Sequence, residues 1–168
     1  MIETKRLNLI PLTISQLKLW TDDLGILEKE LNVKYRAEPT DGFFGDIIRG
    51  QAIKAEKDAE NYIYYSFWWI VRKDDRVAMG SCGFKNIPDE NGEVEIGYGL
   101  AKKEYEGRGF MAEAIKALCR WALAQKDVKR IIAETDKGNL KSENVLKRVG
   151  FAAYKHKHDD NGATWWRL

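Results

Sequence analysis

Apolar residues recur along this chain at two different spacings, and each spacing predicts one kind of element. A spacing of two, or a short continuous apolar run, indicates a strand. The segments with this pattern are Arg6 to Leu12, Ser66 to Arg72, Arg76 to Phe84, Glu93 to Leu100, Val128 to Thr135, Phe151 to His158 and Ala163 to Leu168. Turn residues at Asp74-Asp75 and at Pro88 to Gly92 join the second, third and fourth segments, so we expect a three-stranded antiparallel meander. The last two segments flank Asp159 to Gly162 and predict a final hairpin.

A spacing near 3.6 predicts the helices. One apolar stripe after Gly109 consists of Phe110, Ala114, Leu118 and Ala122, with Ile115, Cys119 and Leu123 beside it, and it predicts a helix that ends near Lys126. Thr13 ahead of Ser15-Gln16-Leu17 predicts a capped helix start. Further helical segments are Leu24 to Leu31, Phe44 to Asp58 and Ser142 to Gly150. We therefore expect a mixed α/β, or α+β, fold: a twisted, mostly antiparallel sheet of about seven strands flanked by helices, in a single domain over residues 1–168.

Composition narrows the classes of partner. The chain has 168 residues with 28 Lys plus Arg against 26 Asp plus Glu, so it lacks the strongly basic field of a nucleic-acid-binding protein. Neither a signal-peptide core nor an apolar run of about 20 residues is present, so we expect a cytoplasmic protein without a membrane partner. Cys82 and Cys119 have no metal-ligand spacing and are interpreted as small buried hydrophobes. No third ligand is spaced to join His156 and His158, so no metal site is expected.

A glycine-rich segment joins the Glu93 to Leu100 strand to the long helix. In Glu104-Tyr105-Glu106-Gly107-Arg108-Gly109-Phe110-Met111-Ala112, two glycines stand directly before the first helical turn. Glycine allows a close backbone approach, and the free N–H groups of a helix start attract anions, so the segment predicts a phosphate-binding site. The spacing Gly107-x-Gly109-x-x-Ala112 also fits a dinucleotide fingerprint. That motif follows a buried parallel strand at once, whereas this strand alternates and ends six residues, Ala101 to Glu106, before the first glycine.

The order of these segments resembles the GNAT superfamily of acetyl-CoA-dependent N-acetyltransferases, and within it the branch that acetylates ribosomal proteins. The motifs that carry the resemblance are Thr4-Lys5-Arg6-Leu7-Asn8-Leu9, Glu95-Ile96-Gly97-Tyr98, the glycine-rich turn, and Asn139-x-x-Ser142 through Lys147 to Gly150-Phe151. The resemblance implies acetyl-CoA as co-substrate and no metal. Two positions depart from the pattern: Glu104 stands where the superfamily usually has Gln or Arg, and Leu146 stands where many members have a proton-donating Tyr.

The resemblance also implies a set of cofactor contacts. Its members are Leu100, Gly107, Arg108, Gly109, Phe110, Met111, Ala112, Asn139 and Lys147. The turn is expected to hold the pyrophosphate through backbone N–H groups. Asn139 is expected to bond the pantetheine amides, with a plain turn residue after Lys137-Gly138 as the alternative. Lys147 would reach the nucleotide end and Arg108 a phosphate; for both, exposure to water is the ordinary alternative.

Attack of an amine on a thioester requires a base, since a lysine-like amine titrates near ~10.4. Glu95 is the candidate base because it lies on the strand before the cofactor turn, and Glu93, on the same face, is the second candidate. A solvated face of an exposed strand is the structural alternative. Gly97 and Gly99 are consistent with an irregular strand that presents an N–H to the oxyanion, or merely with a bulge.

The leaving thiolate needs a proton. Ser142 matches the position of a serine in the related branch, although a helix N-cap is the stronger reading of this residue; Tyr98 and Tyr105 are further candidates. No nucleophilic triad is evident, which favours direct transfer in a ternary complex. The acceptor is left open between a protein N-terminus and a small-molecule amine, and the oligomeric state between monomer and homodimer. A non-catalytic acyl-CoA-binding sensor is the alternative function.

Overall fold

A computed structural model of the protein describes residues 1–100, 103–154 and 162–168. Nine strands form one sheet in the order β1-β2-β4-β5-β6-β7-β9-β8, and β3 pairs with β5 beside this path. The strands are β1 (Ile2–Glu3), β2 (Leu7–Pro11), β3 (Lys34–Tyr35), β4 (Phe67–Arg72), β5 (Val77–Phe84), β6 (Glu93–Leu100), β7 (Arg130–Asp136), β8 (Ala152–Tyr154) and β9 (Ala163–Arg167). Only β3 with β5 and β6 with β7 pair in parallel. The mixed, mostly antiparallel sheet is therefore confirmed.

The seven strands predicted from the sequence are all present. The two additional strands, β1 and β3, have two residues each, which is too short to show an alternating pattern. The predicted meander is β4-β5-β6, and the predicted final hairpin is the antiparallel pair β8-β9. Residues Asp159 to Asn161 of its predicted turn lie outside the described residues, as do His156 and His158.

Six α-helices flank the sheet within the described ranges. They are α1 (Ile14–Asp22), α2 (Leu24–Leu31), α3 (Phe43–Lys57), α4 (Tyr62–Tyr65), α5 (Phe110–Leu123) and α6 (Leu140–Val149). Thr13 caps α1 as predicted, because its side chain accepts from the Gln16 N–H while the Gln16 side chain accepts from the Thr13 N–H. Leu123 was predicted beside the buried stripe of α5 but is 44% exposed, since it lies in the last turn of the helix at the margin of the packed face.

The start of α6 corrects one prediction. The sequence favoured Ser142 as the N-cap, whereas the helix begins at Leu140 and its cap is Asn139. The Asn139 side-chain oxygen accepts from the Ser142 N–H at 3.2 Å. Asparagine is as good a cap as serine, and Asn139 takes the role here. Ser142 lies in the first turn of α6, and its side chain is not the N-cap.

A separate apolar core covers each face of the sheet. Helices α5 and α6 pack on one face through residues such as Ile115, Leu118 and Leu146. Helices α1, α2 and α3 pack on the other through residues such as Leu17 and Ile48. Successive side chains of a strand point to opposite faces. Trp68 accordingly lies in the first core and its neighbour Trp69 in the second, as predicted.

Cys82 and Cys119 are both free and buried in the core under α5, as predicted. Burial raises the pKa of the Cys119 thiol to about 12, so this thiol is unreactive near neutral pH. No helix in the described ranges is long and apolar enough to cross a membrane. Over the same residues, no three His, Cys, Asp or Glu side chains gather as a metal site.

Candidate active site

The central strand β6 loses its neighbour partway along its length. Its pairing with β7 runs from Glu93 opposite Arg130 to Ile96 opposite Ala133 and ends there. Its pairing with β5 continues to Leu100 without a change of register, so the bulge considered for Gly97 and Gly99 is not present in that ladder. Beyond Ile96, β6 and β7 separate, and a gap opens inside the sheet.

The backbone of β6 presents polar groups to this gap. The Glu95 carbonyl accepts from Lys85 on the β5 side, so the backbone groups of alternate residues, Tyr98 among them, point to the β7 side. Because the β7 pairing has already ended, the Tyr98 and Leu100 backbone groups take no part in the described ladder to that strand. Donors held in this way by a rigid strand are suited to a carbonyl or an oxyanion.

The glycine turn opens α5 next to this gap. Gly107 and Gly109 both have positive φ, 71° and 77°, a conformation that other residues adopt only with strain. Gly109 is the N-cap of α5 and supplies no side chain to cap it. The first helical bond runs from Glu113 N–H to the Gly109 carbonyl, so the N–H groups of the preceding turn are not used within the helix. Free N–H groups at an uncapped helix start are the arrangement that the anion-site prediction requires.

Arg6 and Thr4, near the start of the chain, hold this turn in place. Thr4 Oγ1 donates to Glu113 at 2.6 Å, and Arg6 donates to the same carboxylate through its N–H at 2.9 Å and Nε at 2.7 Å. Arg6 Nη1 also donates to the Arg108 carbonyl at 3.0 Å, within the turn. Its guanidinium lies 4.3 Å from the centre of the Phe110 ring. The Thr4-x-Arg6 motif, which entered the sequence analysis only as part of a resemblance, thus supports the glycine turn.

A cavity of about 400 Å³ lies between this turn, the free end of β6 and the start of α6. It is lined by most of the predicted cofactor residues, namely Leu100, Gly107, Gly109, Phe110, Met111, Ala112 and Asn139, and also by Ser142. We call it the first cavity. Arg108 and Lys147 do not line it. The Lys147 ammonium pairs with Glu143 at 3.3 Å and lies 5.4 Å from the Trp166 ring.

Two cations that were not singled out from the sequence line the first cavity. Lys141 and Arg148 are seven residues apart on α6, which places them on one face of the helix. Lys141 Nζ pairs with Glu106 of the glycine turn at 2.7 Å. The helical spacing was visible in the sequence, but the face that meets the cavity is determined by packing.

Tyr98 stands at the inner end of the first cavity. Its hydroxyl donates to the Ser142 carbonyl at 3.1 Å, which joins β6 to the first turn of α6. Burial raises the pKa of the Tyr98 hydroxyl to about 12, so the group keeps its proton across the neutral range. Tyr105 lines the cavity as well, and burial also raises the pKa of its hydroxyl. Tyr98 and Ser142 therefore both line the first cavity and are joined through the Ser142 backbone carbonyl.

A second cavity of about 560 Å³ lies on the opposite side of β6, under α3. It shares Tyr98 and Gly99 with the first, so the two cavities meet where β6 separates from β7. Its floor includes Gly97 and Gly99, where an added Cβ would meet no atom within 4 Å. Packing within the protein does not require glycine at these two positions. The absence of side chains leaves the floor open for a ligand.

Both candidate bases are in ion pairs. Glu95, 20% exposed, pairs with Lys85, and Lys85 also lies 3.6 Å from Glu134. Lys85 lines the second cavity, so Glu95 reaches that cavity's edge through this pair. Glu93 pairs with Arg130 at 3.3 Å, further along β6 from the cavity. Neither Glu95 nor Glu93 is among the residues that line the two cavities; of their partners, Lys85 lies on the wall of the second cavity and Arg130 does not.

Comparison with known proteins places this architecture in a family. The family description "Acetyltransferase (GNAT) domain" matches residues 6–152. An uncharacterized N-acetyltransferase of Bacillus subtilis, YjdG, is 33% identical, and the match covers 88% of this chain and 96% of that protein.

Two solved structures have a similar fold. RimL, a ribosomal L7/L12 alpha-N-protein acetyltransferase in complex with coenzyme A, superposes with a TM-score of 0.67 at 17% identity over 98% of this chain and 94% of its own. The ribosomal-protein-S5-alanine acetyltransferase of Vibrio fischeri superposes with a TM-score of 0.67 at 18% identity. The match covers 99% of this chain and 94% of that protein. At such identities the likeness shows the fold alone, and the family match over most of the chain carries the assignment. With a glycine turn at a helix start and a sheet that opens beside it, the chain belongs to the GNAT acetyltransferase family.

Proposed function

We propose that the protein transfers the acetyl group of acetyl-CoA to a primary amine by direct attack within a ternary complex. The observation that carries this proposal is the meeting of two cavities at Tyr98 and Gly99. A donor in the first cavity and an acceptor in the second would approach each other through the gap in the sheet. Such an approach fixes the reacting atoms without a covalent enzyme intermediate.

The first cavity fits the donor. The uncapped start of α5 and the positive-φ glycines offer backbone N–H groups to the pyrophosphate. We assign the charges at the nucleotide end to Lys141 and Arg148, which line the cavity, ahead of Lys147 and Arg108, which do not. The Asn139 side-chain oxygen already accepts from Ser142, so its amide nitrogen is the group we propose for the pantetheine.

Glu95 is the proposed base. It takes the proton of the acceptor ammonium, directly or through a water, and the neutral amine then attacks the thioester carbon. A C–N bond forms and the C–S bond breaks, and the Tyr98 N–H that points into the gap holds the developing oxyanion. Acetyl-CoA supplies the activated acyl group and coenzyme A departs as a thiolate.

The leaving thiolate receives its proton from Tyr98, which regains one when the acetylated nitrogen loses its second proton on forming the amide; Ser142 is the second candidate for this donor. Tyr98 lines both cavities and retains its proton because burial raises its pKa. The position that often holds a proton-donating Tyr in this superfamily is occupied here by the fully buried Leu146. We propose that β6, rather than α6, supplies the hydroxyl in this protein.

Release of free thiol from acetyl-CoA in the presence of a panel of amines tests this function. We expect amine-dependent release, and we expect Glu95→Gln to lower it by about 10² to 10⁴ at neutral pH. The loss of activity in Glu95→Gln should shrink as the pH approaches the pKa of the amine, because an acceptor that is already deprotonated needs no base. Glu93→Gln is the matched control and should stay within a few fold of the wild type.

A Glu95→Gln protein with an unchanged pH–rate profile would contradict the base assignment. Tight coenzyme A binding without turnover of any amine would favour the alternative function, an acyl-CoA-binding sensor. Calorimetry with coenzyme A separates that outcome from a protein that binds no cofactor at all.

A further inference from the structure

The second cavity has a charge pattern that bears on the acceptor, given the function proposed above. Two ammonium groups, Lys54 and Lys85, line it, and the one carboxylate among its described lining residues is the exposed Glu38. Glu38 stands at the rim, where its carbonyl accepts from the Tyr35 hydroxyl at 2.6 Å. Lys54 and Lys85 are exposed as well, so positive groups outnumber negative ones along the accessible lining of the cavity.

The two lysines differ in how their charges are balanced. Lys85 is paired with Glu95 and lies near Glu134, so its charge is matched by carboxylates on β6 and β7. Lys54 donates to neutral oxygens, Asn86 Oδ1 at 2.8 Å and the Lys85 carbonyl at 3.3 Å. Among the described residues, no carboxylate lies within ion-pair distance of Lys54. Its charge is held at the cavity wall without a counter-ion from the protein.

The position of Lys54 is set by α3. One turn earlier, the buried Gln51 donates its amide N–H groups to the carbonyls of Phe84 and Lys85 at 3.0 and 3.2 Å. Gln51 and Lys54 are both anchored at the end of β5, and both line the cavity. A cation fixed in this way has lost part of its rotamer freedom before a ligand arrives, which lowers the cost of binding an anion.

The remaining walls are apolar and aromatic. Tyr35, Phe44 and Phe67 line the cavity, and each packs edge-on against the buried Trp20 with ring centres 5.3 to 5.7 Å apart. Contacts of this kind make a rigid wall. The wall offers an acceptor hydrophobic contact but no further charge.

These features disfavour polycationic acceptors. A polyamine or an aminoglycoside carries several ammonium groups, each of which needs a carboxylate or other acceptor when it leaves water. The cavity lining offers one exposed carboxylate against two ammonium groups. An acceptor with one amine and one anionic group satisfies the site better, since its amine meets Glu95 and the thioester while its anion meets Lys54.

We infer that the acceptor is a primary amine that also carries a carboxylate and an apolar or aromatic group, and that Lys54 binds the carboxylate. This inference rests on the proposed acetyl transfer and names the substrate class of the same site. Lys54 is a specificity-determining residue in this scheme and takes no part in proton transfer.

The experiment compares acceptors that differ only in charge. Thiol release from acetyl-CoA is measured with L-phenylalanine and L-phenylalaninamide, and separately with peptides that carry Asp or Asn in second position. The wild type should prefer the carboxylate-bearing member of at least one pair by about tenfold or more in kcat/KM. Preference in the first pair identifies a free amino acid as the source of the carboxylate, and preference in the second identifies a peptide.

The variant Lys54→Met removes the charge and keeps most of the stem. It should abolish the preference by lowering kcat/KM for the acid about tenfold while leaving the amide unchanged. Lys57→Met, on the same helix but outside the cavity lining, is the matched control and should retain the preference. An equal loss for both members of the preferred pair, or equal use of the two members in both pairs by the wild type, would overturn the inference.

Failure of the proposed function is distinguishable from failure of this inference. If no amine is acetylated, calorimetry with coenzyme A-loaded protein still measures binding of L-phenylalanine and of its amide. Binding of the acid that is weakened by Lys54→Met supports the assignment of Lys54 without any turnover. Binding of neither compound and of neither peptide, by a protein that does bind coenzyme A, overturns it.

Discussion

Tyr98 combines three groups at the point where the two cavities meet. Its N–H points into the gap beside β6, its ring lies between the cavities, and its hydroxyl donates to the Ser142 carbonyl. In sequence it is one of seven tyrosines, and alternation on β6 predicts only its face. Its neighbour on α6 is 44 residues away, so the contact follows from tertiary packing.

Tyr98→Phe tests the hydroxyl alone, because it keeps the ring. We expect kcat to fall about 10-fold to 100-fold, the low end of the range for general acid catalysis, with coenzyme A affinity within about twofold. Because burial raises the pKa of Tyr98 to about 12, the wild-type hydroxyl stays protonated below that pH, and the loss should be constant from pH 7 to 9.

Tyr62→Phe removes a hydroxyl that lines neither cavity and serves as the control. Stopped-flow thiol release gives kcat, and calorimetry gives the affinity. A Tyr98→Phe protein with wild-type kcat would transfer the role of proton donor to Ser142.

At the scale of elements, the cofactor helix α5 depends on the first residues of the chain. Thr4 and Arg6 together make three hydrogen bonds to Glu113 in the first turn of α5. Burial alone would raise the pKa of Glu113, but the hydrogen bonds from Thr4 and Arg6 outweigh it and hold the pKa below its ordinary value. The ionised carboxylate therefore stabilises the fold and the glycine turn at once.

Glu113→Gln should lower the free energy of unfolding by about 1–2 kcal/mol at pH 7. A lowered folded-state pKa contributes stability that is present above the unfolded value, near ~4.3, and is lost as the pH falls through the folded value. The difference between wild type and variant should therefore shrink below about pH 4. Urea unfolding of the wild type and of Glu113→Gln, at pH 7 and below about pH 4, measures this difference in the free energy of unfolding.

Asp46→Asn breaks an exposed i,i+3 pair with Arg49 and should cost at most about 0.5 kcal/mol at either pH. If the difference in unfolding free energy between the wild type and Glu113→Gln grew on acidification, the lowered pKa of Glu113 would be contradicted.

The spacing of apolar residues along the chain was sufficient to predict the longer strands and helices. It was not sufficient to predict which side chains line the candidate site. The strands and helices were predictable because alternation and 3.6-residue spacing are properties of a segment by itself. The sequence favoured Ser142 as the cap of α6, but Asn139, three residues earlier, is the cap, and both residues line the first cavity. The roles proposed for Lys54, Lys141 and Arg148 depend on which face of each helix packs against which strand. This packing cannot be read from a short segment of one sequence.

At the scale of the whole molecule, the sheet separates the two cavities that we propose for donor and acceptor. The first cavity lies on the side of α5 and α6, the second on the side of α3, and β6 is common to both. Gly97 lines the second cavity and not the first. The two ligand sites should therefore be separable by mutation even though they meet at Tyr98 and Gly99.

Gly97→Val should block the acceptor while sparing the donor. The φ of Gly97 is not positive and its added Cβ meets no atom, so the strand tolerates the substitution and the side chain fills the cavity floor. We expect kcat/KM for the amine to fall at least about tenfold with an unchanged Kd for coenzyme A, a steric loss comparable to several methylene groups.

Gly50→Ala, at an exposed site on α3 outside both cavities, controls for the replacement of a glycine and should be neutral or slightly stabilising. Loss of coenzyme A binding in Gly97→Val would show that the two cavities do not act independently.

The separation of β6 from β7 has a consequence for solubility. A strand that ends its pairing early presents an exposed edge, and such edges recruit strands from other chains. Here the edge opens between the starts of α5 and α6, inside a cavity of about 400 Å³, where a second polypeptide strand with its side chains has little room. A slender molecule with amide groups of its own can occupy it. In the proposed function, coenzyme A would take the place of the missing strand beside β6.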